Sequence, residues 1–166
     1  SKIFGELLML IEADKRGEEY EVTLTYSPDD KFSVPENLYL IGTMNTADRS
    51  IAMVDYALRR RFSFIMLIPQ FNTKFEENLS ENGFTPELSQ KIIQNINNLN
   101  ETIRTDINLG EGFQVGHSYF CPDGHGPYNN HWYENKIKYK VEPLLREYWF
   151  DSPGTVQSLV SGLTSN

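Results

Sequence analysis

Between residues 45 and 61 the sequence gathers side chains suited to handling phosphoryl groups. Asn45, Thr46 and Asp48 fall within four positions, Arg49 follows at once, and Arg59, Arg60 and Arg61 come ten residues later. An asparagine amide donates and accepts at the same time, so it can hold an anionic oxygen and a water together. Threonine and aspartate beside it can orient that water, and arginines can neutralise charge spread over phosphoryl oxygens. The plainer reading has Asn45 and Asp48 stabilising a turn and the arginines forming a solvated helix end. Residue types alone leave the two readings balanced.

The elements around these residues decide where they would sit. Leu38-Tyr39-Leu40-Ile41 is a short apolar run of the kind that forms a buried strand, broken at Gly42. Asp48 and Ser50 are both possible N-caps for the next segment, where Ile51, Val54 and Leu58 recur at helical spacing. That helix ends in Arg59–Arg61, where positive charge suits the C-terminal dipole. Phe62 to Ile68 then reads as a second strand, closed by Pro69. Polar residues at the carboxyl end of a buried strand are where open α/β sheets bind ligands.

The rest of the first half is predicted as a helix over residues 1–13 and a hairpin. Ile3, Phe4, Leu7, Leu8 and Ile11 share a helical face. Leu7 to Glu12 also resembles an apolar strand ending in an acid, but the spacing and the charged sequel to Arg16 favour the helix. Tyr20, Val22, Leu24 and Tyr26 alternate as a strand, Ser27-Pro28-Asp29-Asp30 supplies turn chemistry, and Phe32 to Val34 returns.

After Pro69 the texture becomes helical. Residues 70–85 are polar with isolated aromatics. Pro86 is placed to open a helix carrying Leu88, Ile92, Ile96, Leu99 and Ile103 inward and ending near Asp106. His117 to Phe120 forms a short element, and residues 121–130 a loop. Trp132 to Phe150 is a substantial helix interrupted by Pro143, with Trp132, Ile137, Val141, Leu144, Leu145 and Tyr148 inward. Residues 156–163 form a weak final helix.

Composition narrows the function classes. The net charge is −8, with eight basic and eleven acidic residues before Pro69 and seven and twelve after it. Neither half is the basic surface that gripping nucleic acid requires. The single cysteine, Cys121, excludes an intrachain disulfide and a cysteine-based zinc cluster and fits a reducing, cytoplasmic setting. No apolar run approaches the roughly 18 residues of a membrane span. His125 and His131 are too isolated to suggest a metal site.

MNTADRS (44–50) followed by VDYALRRRF (54–62) resembles the McrB-type AAA+ GTPases, motor subunits of methylation-dependent restriction systems. SKIFGELLMLIE (1–12), GFQVGHSYF (112–120) and EPLLREYWFDSP (142–153) are similar to that family as well, so the likeness runs through nearly the whole chain. It implies an α/β fold: part of an AAA+ nucleotide-binding subdomain, with a β-hairpin, parallel-sheet strands and helices, over residues 1–69. A helical lid follows over residues 70–166.

The resemblance also implies roles. Asn45 takes the sensor-1 position. Arg60 and Arg61 fall in the arginine-finger region and act in trans, on a neighbouring subunit's nucleotide. Asp48 shapes the loop by accepting from Arg49 or an incoming arginine; alternatively NTAD (45–48) echoes a guanine-reading motif. Arg49 reaches across a subunit interface or pairs with Asp48. Thr46 lies beside the nucleotide; His117 is either a nucleotide neighbour or, the preferred reading, a core histidine, since the lid motif offers histidine where AAA+ lids often carry arginine.

The implied cofactors are GTP or ATP with Mg2+, and the implied partners are a ring of identical subunits, expected as a hexamer, an McrC-like nuclease subunit, and DNA through a domain outside these residues. No Gly-Lys pair occurs anywhere in the sequence, and no apolar strand ends in an Asp-Glu pair. The phosphate loop and the magnesium acid are thus expected to lie upstream, and the isolated chain is expected to be inactive. Two other readings are a MoxR-type AAA+ ATPase chaperone and a non-catalytic subunit-interaction module.

Overall fold

The computed structural model describes residues 5–45 and 59–165. The helix expected over 51–58 lies outside them. The chain divides into two compact units, Ser1–Met66 and Leu67–Asn166.

The first unit opens with tight 3-10 turns, Gly5–Ile11 and Ala13–Lys15, where an α-helix was expected. Leu10, Ile11 and Val34 are its buried apolar residues among those described. Two antiparallel strands follow, β1 (Val22–Leu24) and β2 (Ser27–Phe32). The hairpin is where the alternation put it, but its turn comes earlier. Leu24 pairs with Ser27 across Thr25-Tyr26, and the register then slips so that Thr23 faces Lys31. Pro28 has no N–H to give a ladder, so Pro28 to Asp30 are absorbed as an irregularity in β2 rather than forming the turn.

The two apolar runs expected as buried strands are corrected. Residues 38–45 and 62–71 carry no regular secondary structure. Tyr39 is 86%, Ile41 95% and Ile65 85% exposed. A parallel strand needs neighbours to take its N–H and C=O groups. Among the described residues the only sheet is the two-stranded hairpin, and neither run pairs with it.

The second unit is helical, with five α-helices among the described residues: α1 (Thr73–Glu81), α2 (Pro86–Thr105), α3 (Asn130–Lys136), α4 (Glu142–Tyr148) and α5 (Pro153–Thr164). Helix α1 was not foreseen, yet its ends are written in side chains. Asn72 Oδ1 accepts from Phe75 N–H at 3.2 Å. At the other end Gly83, with φ of 88°, lets Phe84 N–H reach Leu79 O at 3.1 Å and Gly83 N–H reach Ser80 O at 3.1 Å. That is a Schellman closure, with Phe84 and Leu79 both buried beneath it. Helix α2 starts as expected: Pro86 is in its first turn, and Thr85 Oγ1 accepts from Leu88 N–H at 3.3 Å. Its inward stripe is the one read from spacing.

Pro143 does not interrupt the long helical stretch. It sits harmlessly in the first turn of α4, and the break in regularity is a wide π turn, Ile137–Val141. The cause is spacing. Tyr133, Ile137, Val141 and Leu145 are all fully buried and recur every four residues. Such a row drifts by about 40° per step around a helix of 3.6 residues per turn. One wide turn takes up the drift and keeps all four on the core.

Two asparagines tie the bundle together. Asn95 Nδ2 donates to Tyr133 Oη and to Leu163 O, both at 3.1 Å. Asn100, 4% exposed, receives Val115 N–H on Oδ1 at 2.6 Å and donates from Nδ2 to Val115 O at 3.0 Å. Asn100→Ala strands both backbone groups of a fully buried residue. We expect a loss of roughly 2–4 kcal/mol in urea unfolding of the helical unit; an unchanged midpoint would show that water replaces the amide.

Candidate functional site

The first candidate cluster lies in the Ser1–Met66 unit. Asn45 is described and exposed, at the end of the Leu38–Ile41 run. Thr46, Asp48 and Arg49 lie outside the described residues. The run is held at its start by Arg16, which the sequence reading passed over. Arg16 donates to Leu38 O, and through Nη2 to Ile11 O at 3.0 Å. Gly17 N–H bonds Val34 O at 2.9 Å, and Leu38 N–H bonds Pro35 O at 3.2 Å. One guanidinium thus fixes the segment leading towards Asn45 to the first 3-10 turn.

The arginine triplet is not uniform. Arg59 and Arg60 are exposed, whereas Arg61 is half-buried and forms an ion pair with Glu12 at 2.6 Å. Glu12 is the acid that closes the apolar run from Leu7. Its pairing orients Arg61 and leaves Arg60 as the more accessible guanidinium. The Arg61 side chain is 19% and that of Glu12 36% exposed, so the pair is mostly withdrawn from solvent.

In the Leu67–Asn166 unit, His117 is half-buried. Its Nδ1 accepts from Gln70 N–H at 3.0 Å. Edge-on contacts with Phe71 and Phe75 place the ring centroids 6.2 and 5.9 Å away. The neutral ring must then carry its proton on Nε2.

Two other polar links brace this unit. Trp149 Nε1 donates to Asp106 Oδ2 at 2.9 Å, and Asp106 is held below the usual carboxylate range, first by Asn108 N–H and then by that indole. Asp123 is held below that range too, at about 2, chiefly by its hydrogen bond from Lys136 at 2.9 Å. Lys136 in turn lies over the Trp132 ring at 5.0 Å. Burial pushes the Tyr148 hydroxyl up to about 12. Among the described residues no three His, Cys, Asp or Glu side chains converge on a point that would hold a metal ion. No helix there is long and apolar enough to cross a membrane.

Two family models match parts of the chain. Residues 91–157 match the family "McrB, alpha-helical lid domain", and residues 1–62 match "AAA domain (dynein-related subfamily)". Over 160 residues, 92% of this chain, the sequence is 50% identical to the type IV methyl-directed restriction enzyme EcoKMcrB subunit of Escherichia coli (strain K12). The chain belongs to the McrB-type AAA+ family. It is also 29% identical over 76 residues, 39% of the chain, to the type II restriction enzyme BsuMI component YdiS of Bacillus subtilis (strain 168). The chain spans 35% of the length of the first relative, and its match covers 22% of the second.

Asn45 presents an exposed amide, and Arg59 and Arg60 present exposed guanidinium groups. The sequence holds no Gly-Lys pair to wrap phosphates.

Proposed function

We propose that this chain forms the sensor, arginine-finger and lid portion of an McrB-like AAA+ nucleoside triphosphatase that hydrolyses GTP and drives a DNA restriction complex. What carries the reading is the 50% identity, sustained over 92% of the chain, with a restriction-enzyme McrB subunit. On this reading Asn45 orients the attacking water against the terminal phosphoryl group. Arg60 and Arg61 meet the charge that grows on the phosphoryl oxygens. Thr46 lies beside the nucleotide. Asp48 and Arg49 shape the loop or reach a subunit interface. The working unit is a ring of identical subunits in the cytoplasm, joined by an McrC-like nuclease and reaching DNA through another domain. The charge of −8 agrees with leaving DNA to that other domain.

The test compares the 166-residue chain with the full-length protein that carries it, each offered GTP and ATP with magnesium. Only the full-length protein should turn over, and on GTP. Robust hydrolysis by the isolated chain would overturn this division of labour, since the chain has no Gly-Lys phosphate loop. Turnover of ATP alone by the full-length protein would move it to the MoxR-type reading.

A further inference from the structure

Three polar contacts fasten the start of the second unit. His117 Nδ1 accepts from Gln70 N–H at 3.0 Å, across 47 residues of sequence. The Gln70 side chain, through Oε1, accepts from Asn72 Nδ2 at 3.0 Å. Asn72 in turn caps α1 through Phe75 N–H at 3.2 Å. Gln70 is therefore gripped by its backbone and by its side chain. The ring of His117 is wedged against Phe71 and Phe75, and the His117 carbonyl receives the Cys121 thiol at 3.7 Å.

Just before Gln70 the picture reverses. Residues 62–69 carry no regular structure, and Phe64 to Ile68 are exposed apolar side chains. The division between the two compact units falls inside this stretch, at Met66 and Leu67. This stretch runs directly into a residue clamped from two directions.

We infer that His117 is a positioning residue that fixes the lid-side end of the hinge: its Nδ1 holds the Gln70 N–H, so that movement about residues 62–69 is passed to the lid as a whole. This rests on the triphosphatase reading above for its effect on turnover, but not for the latch itself. The chemistry asks for an unprotonated Nδ1. A side chain with no acceptor there leaves the Gln70 N–H without its partner and lets the pivot spread into residues 70–72. Hinges absorb their rotation over a few residues, and lengthening one loosens the coupling between closure and chemistry. A buried core histidine would not require this particular acceptor.

Two replacements separate acceptor from ring. His117→Phe keeps the contacts with Phe71 and Phe75 but has no acceptor. His117→Asn gives up the ring but brings Oδ1 close to the place of Nδ1. In the full-length protein, hydrogen exchange at Gln70 should quicken about fivefold in His117→Phe, the factor that goes with a lost hydrogen bond of about 1 kcal/mol. GTP turnover should fall with it by a similar factor. His117→Asn should hold exchange at Gln70 near the parent value. Should His117→Phe fail to fold, Gln70→Pro removes the donor from the other side and should give the same loss of turnover.

Unchanged exchange in His117→Phe, or equal behaviour of the Phe and Asn variants, overturns the latch. Faster exchange with turnover untouched overturns the positioning role. If even the parent protein fails to hydrolyse nucleotide, the proposed activity fails instead, and the exchange measurement still decides the latch.

Discussion

Asn45→Ala in the full-length protein is expected to lower kcat for GTP hydrolysis by about 10²–10³-fold, with nucleotide affinity held within a few fold. The expectation follows from where the amide sits and what it can do. Asn45 is exposed at the end of a segment whose beginning is pinned by Arg16 on Leu38 O. An amide so placed can donate to a phosphoryl oxygen and accept from water in the same geometry. Orienting the water matters only as the transition state forms, so its loss shows in kcat rather than in ground-state binding. Asn45→Asp sharpens the test. It keeps the shape but replaces a donor with a negative charge facing phosphate, and should be as damaging as alanine. If nucleotide affinity collapses in Asn45→Ala, the side chain serves binding or folding instead, and the water-placing role is wrong.

The helical unit was largely readable because its signals are local. Leu88, Ile92, Ile96, Leu99 and Ile103 fall on one face, and Thr85-Pro86 announces the start. Asn100 was readable in principle: it continues the 88, 92, 96 row onto the apolar face, where a polar side chain must have a buried partner. The partner, Val115, could not be named, since nothing local links the two. Likewise the four-residue repeat from Tyr133 to Leu145 foretold a widened turn, but Pro143 drew attention as the obvious breaker.

In the first unit the signals are not local. An apolar run such as Leu38–Ile41 becomes a strand only if another strand takes its backbone groups, and composition says nothing about that partner. Hence the correct hairpin and the failed parallel strands. The Arg16, Glu12 and Arg61 contacts were hidden for the same reason. A surface-looking charge reveals its role only once the fold brings its partner within about 3 Å.

Arg60 and Arg61 should act on a neighbouring subunit, and this carries the largest expected effect. A finger supplied in trans is worth roughly 10³–10⁵ in rate. The double replacement Arg60→Ala with Arg61→Ala should therefore lower GTP turnover by about that factor. Of the two, Arg60 is exposed and Arg61 is engaged by Glu12 at 2.6 Å. Arg60→Ala alone should carry more of the loss, and Glu12→Gln, which removes the ion pair but keeps Arg61, should cost much less than the double replacement. Subunit mixing decides between trans and cis. One full-length variant lacks both arginines. The other keeps them but lacks the acid that holds magnesium in its own site. Each alone should be inactive. In mixed rings, intact sites of the first variant meet intact arginines of the second, and hydrolysis returns only if the arginines serve the neighbour. Mixing with demonstrated co-assembly but no recovery would place Arg60 and Arg61 in their own subunit's site or in a structural role. A Glu12→Gln loss as deep as that of the double arginine variant would favour the structural role, because the ion pair itself would then be what the fold requires.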